Sequence, residues 1–159
     1  MEDLTEVNMP LNEVHNYLAL IKNSCGSRMF RNLYWLDENG IESDILENGN
    51  LGCGFFVSAI LKLSGRIPAL HATVKGTVKE MMVCGWQEVE MSGGCDGMKE
   101  GDVLVWGALA GGIHDHIGFY IGEKMAISNS SENGMPIRHD YDFSGLRKVE
   151  KVLRWREDL

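Results

Sequence analysis

Positive charge is scarce: 15 Lys and Arg stand against 23 Asp and Glu, for a formal net charge of −8 over 159 residues. A surface of this kind lacks the basic face that general binding to nucleic acid or to an anionic membrane needs, which leaves small neutral or cationic substrates as the better fit. No apolar run approaches the ~18 residues of a membrane span. The opening segment, Met1-Glu2-Asp3-Leu4-Thr5-Glu6, is acidic where a secretory signal would be basic. As given, the chain reads as cytoplasmic, with export after loss of a leader or by another route left open. Internal repeats and low-complexity segments are absent as well, and with 44% hydrophobic residues the chain suits one domain, 1–159, around one core.

Four cysteines, at 25, 53, 84 and 95, form no CxxC pair and join no His/Cys cluster of structural-zinc spacing, so they read as reduced thiols with no metal and no cofactor expected. One of them differs from the rest. In Gly52-Cys53-Gly54-Phe55-Phe56-Val57-Ser58-Ala59-Ile60-Leu61-Lys62-Leu63 a cysteine follows a flexible turn and opens an almost wholly apolar helical pattern, stopped by Ser64-Gly65 with Pro68 beyond. Unpaired N–H groups and the positive end of the helix dipole favour a thiolate there, so Cys53 is expected to be the most reactive thiol. A helix apolar all round belongs in the middle of the domain.

The remaining pattern predicts an amphipathic helix over 11–23, a second short helix over 28–36, a polar loop over 37–50 and a helix over 73–83. Strands are expected at 86–91, 103–106, 116–121, 125–129 and 149–155, with a polar loop at 130–134. Helices first and strands afterwards indicate an α+β domain, its helices packed on an antiparallel sheet or small barrel. The strand 116–121 begins with His116, the base that Cys53 would need. His114 and His116 share a face if the strand extends back to them, but without further ligands this is a weak metal motif. His15, His71 and His139 read as surface or packing residues.

Three segments together resemble the NlpC-type cysteine peptidases, relatives of the CHAP amidases in the papain-like group. They are Gly52-Cys53-Gly54-Phe55-Phe56-Val57, Lys99-Glu100-Gly101-Asp102-Val103-Leu104-Val105 and His116-Ile117-Gly118-Phe119-Tyr120-Ile121-Gly122, and the likeness spans about residues 30 to 155. It implies a papain-like fold with Cys53 as nucleophile, His116 as base and a third polar residue to orient the imidazole. The family position for that residue falls on Ser128, twelve residues after His116, while its neighbour Asn129 is the better orienter chemically. Tyr34 stands upstream of the cysteine as a tyrosine does in the family, and it is a candidate contact. Where the family has Asp, Ser and Gly around its cysteine, this chain has Gly52, Gly54 and Phe55, so substrate recognition is expected to use other groups. The resemblance implies an amide hydrolase (a peptidase or amidase) acting on peptide or peptidoglycan fragments. The other reading is a catalytically silent binding module that holds a peptide or protein partner in the same groove, and a different acyl transfer on the same dyad is a third.

Overall fold

A computed structural model describes residues 10–158; the acidic opening at 1–6 lies outside them. The fold is α+β. Helix α1 (Glu13–Asn23) is capped by the Asn12 side chain, which accepts from the N–H of His15, and it buries Tyr17 and Ile21. A two-stranded antiparallel hairpin follows, β1 (Tyr34–Leu36) with β2 (Glu42–Asp44). Then come α2 (Cys53–Leu63) and α3 (Val74–Val83), the latter capped by Thr73. Strands β3 (Trp86–Glu88), β4 (Val103–Trp106), β5 (His116–Tyr120), β6 (Met125–Ser130), β7 (Met135–Asp140) and β8 (Val149–Trp155) form one sheet, ordered β3-β8-β4-β5-β6-β7, every pair antiparallel.

The sheet has two unlike faces because side chains alternate along each strand. Val103, Val105, Ile117, Phe119, Ile127 and Leu153 point to one side, where they pack with Phe55, Phe56, Ile60 and Leu61 of α2 and with Tyr17 and Ile21 of α1. Leu104, Trp106, Tyr120, Ala126 and Val152 point to the other, which is covered by Val89, Met91, Tyr141 and Phe143 from irregular segments. Phe56 and Phe119 meet edge to face at 5.6 Å, fixing α2 over β5.

Several expectations change. Residues 28–36 contain no α-helix: the chain turns at 29–31 and enters β1, where Tyr34, Trp35 and Leu36 are all exposed. Their spacing suits a helical stripe, but no helix face packs there. Instead Asp37 accepts from the N–H groups of Asn39 and Ile41, 2.8 Å each, and closes a hairpin turn. The expected 37–50 loop therefore contains β2. The expected strand 86–91 ends at Glu88, and β7 is an additional strand. Its sequence, MPIRHD, lies at the sheet edge, and its one buried residue is a proline, Pro136, so it has little of the apolar alternation that marks a strand. No helix among the described residues is long and apolar enough to cross a membrane.

Candidate functional site

Cys53 is the first residue of α2, and the N-cap residue before it, Gly52, offers no side-chain cap. The two glycines flanking the thiol have steric reasons. A Cβ at 54 would lie 2.5 Å from the backbone carbon of Thr73, so the start of α2 touches the start of α3 only because residue 54 has no side chain. Thr77 Oγ1 bonds the Gly54 carbonyl across that contact. A Cβ at 52 would lie 3.0 Å from Asn129 Nδ2 and 3.3 Å from the Phe30 carbonyl, so the space beside Gly52 is taken by Asn129.

The approach to Cys53 is organised by a residue the sequence reading passed over. Asp44 accepts from the backbone N–H groups of Leu33, Leu46 and Asn48 and from the Asn32 amide. Burial opposes its ionisation, yet these donors outweigh it and hold the carboxyl down to about 2. Asp44 thereby folds the turn that leads into α2, and Asn129 Nδ2 anchors the same turn by donating to the Gly49 carbonyl at 2.8 Å.

On the sheet, the β5–β6 ladder begins only at Gly118↔Ser128, so the backbone at His116 and Ile117 lies beyond the ladder to β6. Cys53 lies against this opening, where the N–H of Ile117 favours its thiolate together with those of Gly54 and Cys53 itself. Among the described residues no hydrogen bond joins Cys53 Sγ to the His116 ring. That ring lies on the other face with Trp106 at 5.6 Å and Phe143 at 5.5 Å, and His116 Nε2 bonds Ser128 Oγ at 2.8 Å. Gly118 makes this possible, since a Cβ there would sit 2.6 Å from Ser128 Cβ and 2.5 Å from the Ile127 carbonyl oxygen.

The four expected site residues are thus divided. Ser128 meets His116; Asn129, one residue on, points to the opposite face and braces the Cys53 turn. Two others enter that were not expected. His139, read as a surface or packing residue, lies on β7 opposite Ala126, and its Nε2 is 2.7 Å from Ser128 Oγ. Arg147 bonds the Gly107 carbonyl at 2.9 Å and places a positive charge that favours the Cys53 thiolate and disfavours a charged His116. Neither carries a local signal: each reaches the site through strand register or a loop. Tyr34 is exposed on β1.

The electrostatics correct the expected thiolate. Burial pushes the Cys53 thiol up, and the three N–H groups and Arg147 do not overcome it. Burial also pushes His116 down to about 3, with Arg147 and His139 adding to the shift. Cys53 and His116 therefore rest as neutral thiol and neutral imidazole near pH 7. All four cysteines are free, and Cys25 is exposed. Among the described residues no group of three or more His, Cys, Asp or Glu could hold a metal ion, and His114 is exposed ahead of β5. A cavity of about 350 Å³ lies elsewhere, between α1 and the Lys99–Asp102 turn, and includes neither Cys53 nor His116.

No protein-family model matches this chain, and no curated protein matches it.

Proposed function

We propose that this protein is a papain-like cysteine hydrolase of the NlpC type that cleaves an amide bond, with Cys53 as nucleophile and His116 as base. The observation that carries this reading is the placement of Cys53 at the N-terminus of α2 against the start of β5, where His116 is bonded to Ser128. Because both groups rest uncharged, His116 takes the thiol proton as sulfur attacks the carbonyl, and no preformed ion pair is used. The tetrahedral intermediate places its oxyanion by the N–H of Cys53 at the helix terminus. The proton then passes to the leaving nitrogen, giving a thioester and a free amine. Water, deprotonated by the same imidazole, releases the acid and restores the thiol. Peptide stems of bacterial cell wall are the proposed substrate class.

A second reading, a silent module that holds a peptide in the same place, is favoured by two observations. Among the described residues no hydrogen bond joins Cys53 to His116, whose ring packs on the other face of the sheet, and burial makes thiolate formation harder at Cys53. Purified wall peptides and a wider peptide-amide library, incubated with wild type and Cys53→Ala and read by mass spectrometry, separate the two. Cleavage that disappears in Cys53→Ala supports the hydrolase. Binding without cleavage, equal in both proteins, replaces it with the binding module.

A further inference from the structure

The hydrogen bonds around Ser128 form a chain whose direction can be worked out from one end. His139 Nδ1 lies 2.8 Å from the Asp140 carbonyl oxygen. A carbonyl only accepts, so Nδ1 carries the proton. In the neutral ring, the state its burial favours, Nε2 is then bare and must accept, and the Ser128 hydroxyl, 2.7 Å away, donates to it. Ser128 has a single proton. Toward His116 it can only accept, so His116 Nε2, at 2.8 Å, is the donor and its Nδ1 is left without a proton.

We propose that His139 is a positioning residue that acts through Ser128 to hold His116 in its Nε2–H tautomer, keeping Nδ1 as the nitrogen that takes the Cys53 proton. The role assigned to Nδ1 rests on the hydrolase reading; the tautomer does not. A serine alone is an ambiguous partner for an imidazole, because its hydroxyl rotates and can donate as readily as accept. His139 removes the ambiguity by occupying the only hydroxyl proton. Its own orientation is doubly fixed: the ring stacks on Phe143 at 3.9 Å with planes 21° apart, and Ala126, paired with it across the strands, is small enough to leave room. Phe143 holds this stack from a left-handed backbone conformation, φ 53°, which a bulky residue adopts only when its surroundings impose it.

The test reads the tautomer directly, by two-bond ¹H–¹⁵N correlation of the His116 ring near pH 7 in the intact chain. Wild type is expected to show the Nε2–H pattern. In His139→Phe, which keeps the stacking and removes the acceptor, the freed Ser128 hydroxyl can donate to Nε2, and the Nδ1–H form is expected to appear. Alkylation of Cys53 by iodoacetamide should fall at least about tenfold with it, because a base in the wrong tautomer forfeits most of its assistance. Ser128→Ala cuts the same chain in the middle without touching the stack, so it serves if His139→Phe fails to fold. Adding His139→Phe to Ser128→Ala should cost alkylation nothing more. Unchanged Nε2–H patterns in both single variants, or additive losses in the double, overturn the proposal. A tautomer shift in the variants, with a wild type that cuts no amide, leaves the positioning role standing and removes the hydrolase. Amide cleavage by wild type with no tautomer shift in the variants does the reverse.

Discussion

The two faces of strand β5 are built from alternate residues of one short segment and do different work. Ile117 and Phe119 are fully buried against α2, in contacts that are apolar throughout. His116, Gly118 and Tyr120 look the other way, toward Trp106, Ser128 and Phe143, where rings and hydroxyls are linked by hydrogen bonds. The first face supplies cohesion and carries Cys53 on the end of its helix. The second supplies the titratable groups, at the cost of burying them. The candidate site lies at the end of β5 that β6 leaves unpaired, where Cys53 reaches the Ile117 N–H and His116 begins the strand. Stability can therefore be altered on one face and the His116–Ser128 contact on the other.

That division is broken most severely from the helix side. Phe119→Ala removes a fully buried ring that touches both Tyr17 and Phe56. It is expected to lower stability by about 3–5 kcal/mol, measured by urea denaturation. A loss under about 1 kcal/mol would mean that the α2 face is not the stabilising one. Gly118→Ala strikes the other face: its Cβ meets the Ile127 carbonyl and Ser128, so β6 must move away. The expected cost is about 1–3 kcal/mol. Here the His116 ring signals should lose their Ser128 coupling, whereas in Phe119→Ala the surviving folded fraction should keep it.

The third test uses pH. His116 is held down to about 3 by burial, then by Arg147 and His139, against roughly 6.5 when unfolded. Below the unfolded value the unfolded chain takes up the proton and the folded one does not, so stability falls as pH drops from about 6.5 toward 3. At pH 5 the loss assigned to His116 is about 2 kcal/mol relative to pH 8. His116→Gln should flatten this part of the denaturation profile, and an unchanged slope would show that the ring is not buried uncharged. The smallest effect is expected for Asn129→Ala, which removes the bond to the Gly49 carbonyl and costs about 1 kcal/mol while leaving the His116 tautomer as it is. A tautomer change in that variant would erase the distinction between Ser128 and Asn129.

Local pattern was enough to predict α2 with Cys53 at its start, the strands carrying Trp106, His116 and Ser128, and the closing strand at Val149–Trp155. Each of these is buried along a regular face, and burial is what writes a period into a sequence. The same logic misled at 28–36, where apolar residues at helical spacing lie on an exposed hairpin set by the Asp37 turn. β7 escaped notice because an edge strand with little buried surface has almost no period to read.

The sequence by itself determined which thiol stands at a helix entrance, which histidine begins a strand, and that a hydroxyl follows twelve residues later, because these depend on short-range backbone preferences and on alternation within one hairpin. Only the tertiary structure decided the rest. Register across β6 and β7 brings His139 to Ser128 and thereby sets the direction of the hydrogen bonds. The close approach of Thr73 and of Asn129 explains why Gly54 and Gly52 flank the thiol. Burial depth keeps Cys53 neutral despite a helix terminus that favours its thiolate, and it keeps His116 neutral as well. Protonation depends on every group within a few ångströms in space, and neighbours in space are what a linear pattern does not contain.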